Sequence, residues 1–163
     1  MLLEKISANK YFDYISLDEY DLNLIIRTQR QIANSKQILS TYWIVEELLE
    51  NFLTNFFIPF DYKVYCFHSQ PKLIVQLDRN TFPPQIAIYD GTFMPLINGK
   101  DYFLDPDRLI PGNHILPIHP ISILKTAQNL SKLTKDRFVR IDLVDTPKDV
   151  YLESLLLLRV LLI

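Results

Sequence analysis

Apolar and polar positions alternate most cleanly over two stretches of the chain. From Asp61 to His68, the residues Tyr62, Val64, Cys66 and His68 fall on one side of an extended backbone. Asp61, Lys63, Tyr65 and Phe67 fall on the other. Successive strand side chains point to opposite faces, so this pattern predicts a strand with one apolar and one mixed face. Ser69-Gln-Pro71 turns the chain and Lys72–Asp78 returns it, so 61–78 reads as a hairpin. A third strand runs from Pro84 to an Asp90-Gly91 turn. Residues 137–153 read as a second hairpin. Phe138, Arg140, Asp142 and Val144 share one face, and Val139, Ile141 and Leu143 share the other. Asp145-Thr-Pro-Lys-Asp149 is the turn, and Val150-Tyr-Leu-Glu153 restarts the strand.

Helical spacing is confined to two places. Over Leu17–Ala33, Leu22, Ile25, Ile26 and Ile32 mark one face, with Ser16 or Asp18 as cap and Asn34-Ser-Lys36 as the end. Over Pro120–Leu133, Ile121, Leu124, Ala127 and Leu130 form a stripe, with proline at the start. Residues 1–16 have no clear period. Ile38–Glu47 is strand-like through Tyr42-Trp-Ile-Val45 and closes on Glu46-Glu47. Residues 48–60 are apolar and aromatic, and 91–119 form a loop punctuated by Pro95, Pro106, Pro111 and Pro117. Hairpins joined by few helices predict an α+β fold, a mainly antiparallel sheet flanked by helices.

Composition narrows the function classes. With 48 % hydrophobic and 12 % aromatic residues, the 163-residue chain can bury a core; it is one domain or part of a larger one. A net charge of −2 gives no electrostatic case for nucleic acid or an anionic membrane surface. Cys66 is the single cysteine, which excludes an internal disulfide or a cysteine metal site and fits a core position in a reducing cytoplasm. The start, Met-Leu-Leu-Glu-Lys5, lacks the pattern of a signal peptide. The apolar run Leu155–Ile163 is interrupted by Arg159 and falls short of the roughly 20 residues that span a bilayer, so no transmembrane segment is expected. The three glycines, Gly91, Gly99 and Gly112, lie apart. A phosphate-cradling loop needs clustered glycines, so any such loop is expected outside this chain.

The second hairpin holds the candidate chemistry. Its length brings Asp142 and Glu153 side by side, with Arg140 on the same face. Hard cations such as Mg²⁺ are held by one or two carboxylates together with substrate phosphates. The simpler reading is a solvated hairpin face. Lys63 likewise reads as a surface lysine, Asp61 as a strand start, and Glu46-Glu47 as a solvated strand end. Tyr62 and Trp43 read as packing residues. His68, His114 and His119 are scattered with no third ligand spaced to complete a metal site.

The order Trp43-Ile-Val-Glu-Glu-Leu-Leu-Glu, Asp61-Tyr-Lys-Val-Tyr-Cys-Phe, Pro71-Lys-Leu-Ile, Arg140-Ile-Asp-Leu and Val150-Tyr-Leu-Glu resembles the ATP-grasp superfamily. It is most similar to the TupA-like ATP-grasp proteins of teichuronopeptide-type cell-surface polymer synthesis, over roughly residues 40–153, and implies the C-terminal half of that fold. The resemblance implies ATP and Mg²⁺ as cofactors. Glu46 and Glu47 match the adenine–ribose hinge, Lys63 a basic residue facing the nucleotide, Arg140 a phosphate or substrate contact, and Asp142 and Glu153 the metal ligands. The implied reaction is carboxylate–amine ligation: the carboxylate attacks the γ-phosphate, and an amine then displaces phosphate from the acylphosphate.

Two departures shape the expectation. The stretch before Glu46 is short for the family's N-terminal lobe, which a separately encoded partner chain would then supply. The segment after Glu153 lacks the family's Thr or Asn ligand and its Pro-Gly turn, and a shift of reading frame at position 153 would account for it. The expected organisation is a lead-in helical segment (1–39), an ATP-grasp-like core (40–153) and an atypical apolar tail (154–163). The tail is not expected to extend the sheet as in the family, but to be a short helical or strand-like apolar segment lying on the core, or a poorly anchored end. The expected function is a truncated or degenerate relative of the cell-surface polymer ligases, cytoplasmic and inactive alone. The alternative is a non-catalytic binding module that keeps the sheet.

Overall fold

A computed structural model describes residues 3–13, 16, 18–35, 49–105, 107 and 109–157. The chain forms two compact units, Met1–Leu48 and Leu49–Ile163. The Trp43–Glu47 segment, including Glu46 and Glu47, lies outside the described residues.

In the first unit, β1 (Leu3–Lys5), β2 (Lys10–Asp13) and β3 (Asp18–Asp21) form an antiparallel meander, followed by α1 (Leu22–Ser35). These strands have three or four residues, too few to display a period. The helix begins at Leu22 rather than Leu17 because residues 18–21 pair with β2. Neither Ser16 nor Asp18 caps it: Asp21 Oδ1 accepts from the Asn23 amide at 2.8 Å. Ile25 and Ala33 are its buried residues, while Ile32 is exposed.

The second unit is built on one sheet in the order β10-β9-β4-β5-β6-β7, with β8 also paired to β6. Its strands are β4 (Asp61–Phe67), β5 (Gln70–Asp78), β6 (Gln85–Asp90), β7 (Pro95–Leu96), β8 (Ile110–Pro111), β9 (Phe138–Asp145) and β10 (Val150–Leu157). All pairings are antiparallel except β6–β8. The architecture is α+β, with two helices and mainly antiparallel sheets among the described residues.

The β4–β5 turn is His68-Ser69, both at positive φ, rather than Ser69-Gln-Pro71. Positive φ at both central residues matches the right-handed twist of a two-residue hairpin. It takes His68 out of the strand face on which alternation placed it.

One face of the sheet carries the core. Tyr62, Val64, Cys66, Ile74, Val139, Ile141 and Leu143 are fully buried there with Ile123 and Ala127 of α2 (Pro120–Thr134). The buried row of α2 is Ile123, Ala127 and Ser131, an i, i+4, i+8 line. Ile121 is exposed, so the expected stripe is rotated about the axis. Gln76 ties the proline loop to this face. Its Oε1 accepts from the Ile115 amide and from Tyr89 Oη, both at 2.9 Å. No helix among the described residues is long and apolar enough to cross a membrane.

Candidate functional site

The site lies on the opposite face of the sheet. Strand β4 is central, and the antiparallel β4–β9 register sets Lys63 opposite Asp142 and Tyr65 opposite Arg140. Directly opposed residues share a face, so alternation on each strand together with this register assembles the cluster. The next strand adds a local irregularity. Leu152 pairs with Leu143 and Ser154 with Asp142, which leaves Glu153 as an extra residue in a β-bulge. A bulge re-aims side chains, and here Glu153 and Ser154 both reach the cluster.

The geometry is a closed ion network. Lys63 Nζ donates to Asp61 Oδ2 at 2.5 Å and to Asp142 Oδ2 at 2.9 Å. Arg140 grips Asp142 with two hydrogen bonds, from Nε at 2.8 Å and from Nη2 at 2.9 Å. Ser154 Oγ donates to Asp142 Oδ2 at 3.0 Å. Arg79, just beyond the end of β5, reaches Asp61 Oδ2 at 3.2 Å and pairs with Glu153 Oε1 at 3.9 Å. Asp61 and Asp142 are almost fully buried, Lys63 is 18 % exposed and Glu153 is 42 % exposed at the side chain.

Electrostatics follow from this geometry. Burial alone would raise the Asp142 carboxyl. Hydrogen bonds from Arg140, Lys63 and Ser154 outweigh burial and hold it below its ordinary range. Glu153 goes the other way: burial, and then the Asp61 and Asp142 carboxylates, raise it against the pull of Arg79 and Lys63. Burial would lower Lys63, yet its bonds to Asp61 and Asp142 leave it raised and firmly protonated.

Asp61, Asp142 and Glu153 each offer a carboxylate oxygen, all within 4.8 Å of one another. Oxygen ligands at about 2.1 Å around an octahedral Mg²⁺ stand at most about 4.2 Å apart, so converging the three on an ion requires them to close in and Lys63 to leave its place between Asp61 and Asp142. Asp61 Oδ1 is buried without a hydrogen-bond partner, an acceptor left open beside the cluster. Three hard oxygen donors, one with an unused lone-pair site, fit a divalent cation in donor type.

The structure thus brings Lys63, Arg140, Asp142 and Glu153 together. It adds three residues that alternation and resemblance did not assign to the site. Asp61 carried a signal, the same parity as Lys63. Arg79 and Ser154 carried none, because a residue beyond a strand end and a bulge neighbour have no period. The histidines stay apart from the cluster: His119 Nδ1 binds Asp145 Oδ1 at 2.8 Å and His114 Nε2 meets the Ile88 carbonyl at 2.9 Å.

Ser154 also bears on the tail. Residues 154–157 continue β10, paired with β9, so the start of the tail is strand. Comparison with known proteins covers the same ground. Neither the curated proteins nor the solved structures gave a match to the chain. A family model, described as TupA-like ATPgrasp, matches residues 5–156. The match takes in the first unit as well as the 40–153 stretch of resembling motifs, and it continues past Glu153. Spanning nearly the whole sequence and both strands that meet at the Lys63–Asp142 pair, it shows that the chain belongs to the TupA-like ATP-grasp family.

Proposed function

We propose that this chain supplies the metal- and phosphate-binding face of an ATP-dependent carboxylate–amine ligase of cell-surface polysaccharide or peptidopolymer synthesis. The carrying observation is the row Lys63–Asp142–Ser154 across three strands, flanked by Asp61, Arg79, Arg140 and Glu153. Asp61, Asp142 and Glu153 would hold Mg²⁺, whose contribution is to neutralise phosphate charge. Arg140 and Lys63 would contact phosphate oxygens, with Arg140 already oriented by its two-point grip on Asp142. Glu46 and Glu47 are proposed on the adenine side by resemblance.

The three separated glycines argue against a phosphate-closing loop within this sequence. A glycine-bearing lobe from outside it would complete the site, in the cytoplasm where ATP is supplied. The chain by itself is then expected to bind Mg²⁺–ATP only weakly, with a dissociation constant above about 1 mM, and to turn over little. Titration calorimetry of the purified chain tests this. Micromolar affinity that disappears in Glu47→Ala would show a complete site and refute the weak-binding claim.

One observation favours a second reading, a binding module without chemistry. The ion network satisfies Asp142 fully without a ligand. Phosphate released from Mg²⁺–ATP, however slowly, and abolished by Asp142→Asn would favour the ligase reading over it, whereas heat of binding without phosphate release would favour the module.

A further inference from the structure

Lys63 occupies the place a cation would take. Its ammonium lies between Asp61 Oδ2 and Asp142 Oδ2, at 2.5 and 2.9 Å, and so uses the oxygens that would otherwise turn toward a metal ion. We propose that Lys63 is a resident counter-cation that keeps a divalent metal out of the site unless a polyanion arrives with it. The inference rests on the metal-and-phosphate reading above and concerns the order in which the site fills.

Charge balance is the first argument. Asp61, Asp142 and Glu153 are faced by Lys63, Arg79 and Arg140, three formal negative charges against three positive. A divalent ion added to this set leaves two uncompensated positive charges beside carboxylates that are almost wholly buried. An uncompensated charge in such a place is strongly disfavoured. A polyphosphate restores the balance and supplies the acceptors that displaced cations need.

Side-chain mechanics is the second. Arg140 is held at both Asp142 oxygens, a planar fork that cannot leave without breaking two bonds. Arg79 spans two carboxylates on different strands. Lys63 is a point charge on a flexible four-carbon stem and remains 18 % exposed. Of the three cations it is the one that can swing from carboxylate to phosphate while its backbone stays fixed in the central strand. Glu153, 42 % exposed at the side chain, is the carboxylate an entering ion meets first, and the buried, unpartnered Asp61 Oδ1 leaves Asp61 an acceptor to offer once Lys63 has moved.

Equilibrium dialysis with Mn²⁺ and inorganic tripolyphosphate, using the whole chain, tests this without any turnover. The native protein is expected to retain each only when the other is present. Lys63→Met removes the ammonium at similar size, and is expected to retain Mn²⁺ without tripolyphosphate at least about tenfold more tightly than the native protein. Lys63→Arg keeps the charge but not the compact, mobile head, and is expected to retain Mn²⁺ without tripolyphosphate no more tightly than the native protein. Lys63→Gln serves as a second neutral variant, and circular dichroism verifies the fold of each.

Native protein that retains Mn²⁺ equally well with and without tripolyphosphate overturns the counter-cation role while leaving the metal site standing. The role falls equally if folded Lys63→Met and Lys63→Gln bind Mn²⁺ no more tightly than native. With both probes supplied well above the millimolar range, retention of neither by any of these proteins overturns both the inference and the reading beneath it.

Discussion

Asp142→Asn is the most informative single substitution. Asp142 accepts four hydrogen bonds: from Lys63, from two nitrogens of Arg140 and from Ser154. Asparagine keeps the size but replaces one acceptor oxygen with a donor. Three of the four bonds fall on Oδ2, so the less costly orientation puts the amide nitrogen at Oδ1, facing Arg140 Nε. That loses one charge-assisted bond, worth about 1.5–3 kcal/mol, and weakens the other three by making the acceptor neutral.

One effect opposes this loss. Removing the charge relieves repulsion with Asp61 and Glu153, the same repulsion that helps raise the Glu153 carboxyl. That relief is about 1 kcal/mol, because Glu153 is nearly half in water and Lys63 already stands between Asp61 and Asp142. Bond loss wins, and the net destabilisation is about 2 kcal/mol. In a chain of this length that lowers the melting temperature by about 6 °C.

The assay is urea unfolding followed by circular dichroism, with EDTA present so that no cation contributes. The pH dependence has a definite sign. Asp142 is held below its ordinary value of 3.8, so its contribution is present above that pH and is lost as pH falls through the lower folded value. The gap between native and variant should therefore be flat from about pH 7 to 5 and close only under acid conditions below about pH 4. A variant as stable as native at pH 7 would show that carboxylate repulsion, not hydrogen bonding, dominates the cluster.

Two further outcomes test the rest of the second unit. A Cβ at Gly91 would lie 2.2 Å from the Pro71 carbonyl oxygen and 2.7 Å from its carbon, so Gly91→Ala should cost about 1–3 kcal/mol; an unchanged urea midpoint would show that this turn does not sit against β5. Cys66 is buried on the core face, and burial pushes its thiol up to about 11, so a thiol reagent at pH 8 should label it only after denaturation; rapid labelling of native protein would mean that the core face is open.

The core hairpin elements were legible because each is long enough to show its period. Seven residues of β4 and eight of β9 repeat an apolar position at every second step, which fixes both the strand and the side chains that share each face. Alternation within each strand therefore puts Lys63 on the mixed face with Asp61, and Arg140 on the same face as Asp142. The second hairpin also predicted Asp142 near Glu153, since the two are joined by a short turn. Sequence similarity carried the family. In the first unit, strands of three or four residues show no such period and could not be read.

The pairing of β4 with β9 is another matter. These strands lie far apart in the sequence, and a face pattern states which side chains point together but not which strand lies alongside. Neighbours and register are settled when both apolar faces are buried at once under α2, with Ile123 and Ala127 against Val64, Ile141 and their neighbours. That placement sets Lys63 opposite Asp142 and encloses a lysine among carboxylates, something no periodicity states. The bulge at Glu153 and the reach of Arg79 depend on the same placement. A bulge is a departure from alternation, and a side chain beyond a strand end acquires its partners only when the strands beside it are in position.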